Sequence, residues 1–398
     1  MIYSVLHTTT FSYQPAVRES IMEVRLQPRS DALQHCLTFQ LDVSPAANIM
    51  QYRDFMGNTV HHFDIAGNHT QVKVTAQSTV EVESAPPPSL ADAGTWRDLD
   101  RAVATEDFWE MLLPSQFAQS TERLQALARE LRCERRDTPL ALLTELNEAI
   151  YNSFNYVPNS TNVDSPIDHA LHSRQGVCQD FAHIMIALVR PLHIPCRYVS
   201  GYMFHRDEDA ETTDRSLEGA SHAWIEALVP NLGWIAFDPT NNLIGADRHI
   251  RVAIGRDYAD VPPTRGVHKG EAQSELSVAV TVSPSDAPPP SAPPASTTNN
   301  SNNNSSSSVR PVRTVIRNVI LSETRHWRSQ WLAQSKDPYP HLNFVIRSAP
   351  KAREEPAVSM RRHNSRSDSR PRPSPQQSDA EPVPNEHSYP SPSILIRP

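Results

Sequence analysis

The 398-residue chain has no run of eighteen uninterrupted apolar residues, no CxxC pair, no glycine-rich loop able to cradle a phosphate, and no periodic repeat. Without the first, no transmembrane segment is expected, because crossing the hydrocarbon core takes about 20 apolar residues. The opening MIYSVLHTTTFSYQPAV also lacks the basic region and continuous apolar stretch of a secretory signal, so a cytoplasmic location is expected. The four cysteines, Cys36, Cys133, Cys178 and Cys196, lie far apart. That spacing suggests neither a zinc site nor a dense disulfide framework, and they read as thiols of a reducing compartment. With no ligand cluster and no phosphate loop, no metal and no cofactor are expected.

Charge and composition divide the chain. From Pro284 onward there are 15 Lys and Arg against 9 Asp and Glu, and before it 22 against 36, within a net charge of −8. An acidic body is a poor nucleic-acid partner, since phosphate binding needs clustered positive charge; the basic tail could contact an anionic partner. Hydrophobic residues make up 38% of the chain, and its 35 prolines concentrate after residue 284. The tract APPPSAPPASTTNNSNNNSSSS buries too little apolar surface to offset its ordering entropy, so residues 284–398 are expected to be a disordered tail. Within it, 309–333 has the spacing of a short basic amphipathic helix, although isolated helices of that length are marginal.

Residues 1–83 read as an antiparallel β-sandwich. Apolar and polar residues alternate over 19–26, 36–43 and 71–82, and Gly57-Asn58 has the chemistry of a hairpin turn between 49–55 and 59–65. His61 and His62 alternate faces in a strand and cannot share a metal without distortion. A linker at 84–103 begins at the proline run 86–88, and a second domain occupies 104–283. There the spacing predicts helices over 108–113, 121–131 and 139–154, a helix opening near Cys178, and strands over 197–203, 222–228, 233–238 and 275–282. The whole is α+β, with a helix packed on an antiparallel sheet.

Cys178 is the candidate nucleophile. It follows Gly176-Val177 and opens a helix whose Phe181, Ile184, Met185, Leu188 and Val189 form a docking stripe. At a helix N-terminus the unpaired amides and the dipole favour thiolate. Such a nucleophile needs a base and a group to orient the base. A hairpin closing at Val229-Pro230-Asn231 would set His222 opposite Asp238 on one sheet face, with Trp224 and Trp234 on the same face.

The segments GVCQDFAH (176–183), RYVSGY (197–202), SHAW (221–224) and GWIAFDPTNN (233–242) resemble the signatures of bacterial transglutaminase-like proteins. Residues 1–83 resemble the β-rich region that precedes such cores, and GRDYADVPPTRGVHKG (255–270) resembles the family's closing segment. The resemblance implies a papain-like core with a Cys-His-Asp triad at Cys178, His222 and Asp238. It implies a cysteine hydrolase, protease or amidase, acting on a peptide or protein substrate through a thioester. The alternatives are acyl transfer to an amine and a non-enzymatic peptide-binding module. In RPLHIPCRYVSGY, Pro191 should end or kink the nucleophile helix, and His193 replaces a residue suited to a left-handed cap. Cys196 reads as packing, and Asp180 and His183 as structural polar residues.

Overall fold

The computed structural model describes residues 1–84, 86–205, 214–216, 219–245 and 247–285. The expected tail beyond residue 285, with its candidate helix at 309–333, lies outside them.

The N-terminal region is built on two long strands, β1 (Ile2–Val24) and β4 (Thr59–Val82), paired antiparallel along their length. Between them come β2 (Gln34–Ser44) and β3 (Met50–Arg53), both pairing with β4. The β3–β4 turn is the expected one. Gly57 takes the left-handed φ of 75° that a side chain disfavours, and Asp54 Oδ1 accepts the amides of Met56 and Asn58. Register shifts in β1 between Ser12 and Glu19 divide the sheet into halves. Tyr13, Met22, Val24, Phe63, Val72 and Val74, drawn from both halves, share one apolar cluster, as a sandwich requires.

Helices α1 (Trp96–Thr105), α2 (Trp109–Leu112), α3 (Glu122–Glu130) and α4 (Pro139–Ser153) follow. Thr95, Thr121 and Thr138 cap α1, α3 and α4 by each accepting the amide of the third helical residue, and Pro139 fills the first position of α4. Helix α1 thus begins inside the segment expected as linker. The two-residue strands β5 (Asn155–Tyr156) and β6 (Gln175–Gly176) flank α5 (Ile167–Ser173) and deliver the chain to α6 (Cys178–Val189).

Helix α6 is the axis of the core. Every residue from Gln179 to Val189 is buried, packed among α3, α4, α5 and a five-stranded antiparallel sheet. That sheet comprises β7 (Cys196–Met203), β8 (His222–Val229), β9 (Gly233–Asp238), β10 (Leu243–Ile244) and β11 (His249–Gly255), ordered β10-β9-β8-β7-β11. Pro191 ends the helix as expected: it gives way to a 3-10 turn over Arg190–Leu192, and His193 caps that turn with φ 59°.

Two strands return to the first sheet. β12 (Thr264–Lys269) and β13 (Gln273–Pro284) both pair with β1, so the last expected strand, 275–282, extends the N-terminal sheet instead of the core sheet. Apolar contacts among Tyr3, Val5, Val80, Val82, Tyr202, Ile250 and Val280 join the two layers. Among the described residues, no helix is long and apolar enough to cross a membrane.

Candidate active site

The start of α6 is fixed by side chains that reach back to it. Asp180 Oδ2 accepts the Val177 amide at 2.9 Å and the Thr161 hydroxyl at 2.5 Å, and the Gln179 side-chain amide donates to Val163 O at 2.9 Å. A Cβ on Gly176 would lie 2.9 Å from Asp180 Cβ, so only glycine lets this cap close immediately before Cys178. Cys178 is the first helical residue and half-buried, at the positive end of the dipole. The other three thiols are masked by burial, which pushes Cys36 and Cys133 to about 11 and Cys196 to about 12.

Asp180 and His183 serve the scaffold. Burial raises the Asp180 carboxyl above its usual range. His183 is stacked between Phe117 and Tyr198, accepts the Tyr258 amide at 3.2 Å, and is pushed by burial to about 3.

Strand β8 begins with His222 and β9 ends with Asp238. The pairing differs from the expected hairpin, because Ile225 faces Phe237 and Val229 faces Gly233. The turn is longer than assumed: Leu232 N–H bonds Val229 O, with Asn231 and Gly233 at φ 67° and 79°. This displaces Asp238 by two residues from direct opposition to His222. Because side chains alternate with period two, both still project from the same face and meet diagonally. His222 Nε2 lies 2.8 Å from Asp238 Oδ2, and both residues are at least 96% buried.

Burial alone would lower the His222 imidazole. The charge of Asp238, their hydrogen bond and the Cys178 thiol outweigh it, raising His222 to about 10. Burial would raise Asp238, but the two histidines beside it hold its carboxyl well below the usual range. His222 Nδ1 is buried without a hydrogen-bond partner. The Cys178 thiol lies close enough to the ring to favour its protonated form. Such contacts commonly tighten only when substrate binds.

Trp224 stacks on the His222 ring at 5.9 Å and 24°, as the strand parity suggested. Trp234 instead lies against Phe108 and under the Arg197 guanidinium.

Two residues here had no assigned role in the sequence reading. The Asn241 side-chain amide donates to Asp238 Oδ2 at 2.8 Å, and its carbonyl accepts the Arg215 and Ser216 amides. The DPTNN turn signals it only as a neighbour of Asp238. His249 Nε2 lies 3.1 Å from the same Oδ2, and nothing local in the sequence marks it. The donor atoms of His222, Asp238 and His249 fall within 4.8 Å of one another, a spacing that could also converge on a metal ion.

Two family models match the chain: the bacterial transglutaminase-like N-terminal region over residues 3–81 and the transglutaminase-like superfamily core over 125–239. An uncharacterised Mycobacterium leprae protein is 35% identical over 279 residues, covering 70% of this chain and 97% of that one. A Pseudomonas aeruginosa protein-glutamine gamma-glutamyltransferase is 33% identical over 121 residues, which are 30% of this chain and 18% of that protein. A Cytophaga hutchinsonii protein described as a candidate cysteine protease shares the fold with a TM-score of 0.58 and 24% identity, over 73% of this chain and 93% of that one.

Proposed function

The chain belongs to the transglutaminase-like superfamily, and from that premise we propose that it is a cysteine hydrolase that cleaves peptide or carboxamide bonds through a thioester. Cys178 is the nucleophile, His222 the general base and acid, and Asp238 the group that orients His222. The observation carrying this reading is the His222–Asp238 hydrogen bond of 2.8 Å, which makes Nε2 the donor and leaves Nδ1 for Cys178.

The thiolate attacks the carbonyl carbon, and the oxyanion forms beside the Cys178 amide, which as the first helical N–H has no partner within the helix. His222 Nδ1–H then protonates the departing nitrogen, the C–N bond breaks, and a thioester remains on Cys178. Water, deprotonated by Nδ1, attacks the thioester; the acid leaves and the thiol returns. A primary amine in place of water would give transamidation, a second reading favoured by the likeness to the gamma-glutamyltransferase. We place the enzyme in the cytoplasm, a reading supported by four unpaired cysteines. The basic composition of 284–398 supports contact with an anionic partner.

The test is the alkylation rate of each cysteine by iodoacetamide against pH, in the full chain and in His222→Ala. Cys178 is expected to label rapidly below about pH 7 and to lose that rate with His222. Labelling of Cys178 like an ordinary thiol of pKa about 8.5 in both proteins would remove the enzyme reading in favour of a binding module. Product analysis with and without a primary amine then separates hydrolysis from transamidation.

A further inference from the structure

We propose that His249 is a positioning residue of this site, a second imidazole that holds Asp238 in place and is itself held by the N-terminal sheet. The proposal rests on the reading of Cys178, His222 and Asp238 above.

Asp238 Oδ2 is shared by His222 Nε2 at 2.8 Å, Asn241 Nδ2 at 2.8 Å and His249 Nε2 at 3.1 Å. Oδ1 accepts the amides of Thr240 at 3.0 Å and Asn241 at 3.3 Å. Of these donors, His249 alone comes from a strand that lies beyond β8 and β7 in the sheet. Its ring is 98% buried, lies 4.8 Å from the Trp224 ring, and has no partner for Nδ1. Its one hydrogen bond among the described residues goes to Asp238. An imidazole buried against tryptophan for a single hydrogen bond is a costly packing choice, because an apolar residue would fill that space without desolvating two nitrogens. The arrangement makes sense if the carboxylate is what must be held.

His249 opens β11, the edge strand of the core sheet, and the N-terminal region supplies that edge with substitute partners. The Gln34 side chain donates to Arg251 O at 2.9 Å and accepts Arg251 N–H at 2.8 Å. The Asn58 side chain does the same for Ile254, at 2.8 Å in each direction. Asp31 pairs with the Arg251 guanidinium at 2.6 Å. Each amide side chain thus plays the part of a neighbouring strand's peptide group. The edge carrying His249 is clamped at two points two and five residues beyond it.

The test uses the full chain as wild type, His249→Leu and His249→Gln, read by Cys178 alkylation against pH and by thermal unfolding. His249→Leu is expected to unfold cooperatively but to lose about tenfold or more of its alkylation rate near pH 6, in line with the loss of a group that orients a catalytic partner. Its labelling midpoint should move up toward that of an ordinary thiol, because a less firmly held Asp238 stabilises the imidazolium less. His249→Gln, whose amide can donate to Oδ2, should recover most of the rate. An unchanged midpoint in His249→Leu overturns the proposal, as does equal loss in both variants. A wild-type Cys178 that labels like an ordinary thiol would instead sink the catalytic reading beneath it.

Discussion

At Asp238 a carboxylate is almost fully removed from water, and five hydrogen-bond donors replace the hydration it has lost. The same exchange sets the behaviour of His222, whose folded pKa of about 10 lies above its unfolded value of about 6.5. A group raised in this way contributes stability that is fully present below about pH 6.5 and is lost as the pH climbs through about 10. The stability difference between the wild type and His222→Gln should therefore be greatest below about pH 6.5 and shrink by on the order of 1 kcal/mol per pH unit toward pH 10. Urea denaturation across that range measures it. A difference that is flat with pH would mean that His222 is not held protonated by its neighbours.

Helix α6 and the β8–β9 hairpin are the elements that carry Cys178, His222 and Asp238, and each depends on how it ends. The helix starts where Gly176 allows Asp180 to fold back on Val177, and stops where Pro191 and His193 turn the chain toward β7. His193 holds φ 59°, a conformation that costs a residue with a Cβ about 1–2 kcal/mol and glycine little. Part of that relief is offset by the extra freedom glycine gains in the unfolded chain, about 0.4–1 kcal/mol. His193→Gly is thus expected to stabilise the protein by about 0.5 kcal/mol without altering Cys178 alkylation. Chemical denaturation checks the first part and the labelling assay the second.

On the scale of the whole molecule, the N-terminal sheet and the core form an interlocked structure. Strands β12 and β13 return from the core to flank β1, while Gln34 and Asn58 complete the edge of β11. Gln34 is fully buried and also donates to Arg29 O at 2.7 Å. Replacing it by Ala would leave the Arg251 N–H without its partner, while Arg251 O keeps the Arg29 N–H at 3.0 Å; a buried group left unsatisfied costs about 1–3 kcal/mol, and the bonds to Arg29 O and Arg251 O are lost as well. Gln34→Ala is expected to destabilise by about 3 kcal/mol and to slow Cys178 alkylation, since the loosened strand bears His249. A destabilised variant with wild-type alkylation would separate the clamp from the site.

Much of this was legible locally. The turn at Gly57-Asn58, the helix that opens at Cys178 and its stop at Pro191 each follow from backbone chemistry within a few residues. The triad candidates were legible because nucleophile, base and orienting acid stand in short recognisable segments. Even the misjudged hairpin kept His222 and Asp238 on one face, since a two-residue displacement preserves strand parity. The sequence also determined that Cys36, Cys133 and Cys196 stand too far apart for a CxxC site. Tertiary structure alone decided that 275–282 leaves the core for the first sheet, that Trp234 packs against Phe108 and Arg197, and that His249 reaches Asp238. Those outcomes depend on strands distant in the chain pairing in one register among several, and no periodicity within a segment specifies which distant neighbour it meets.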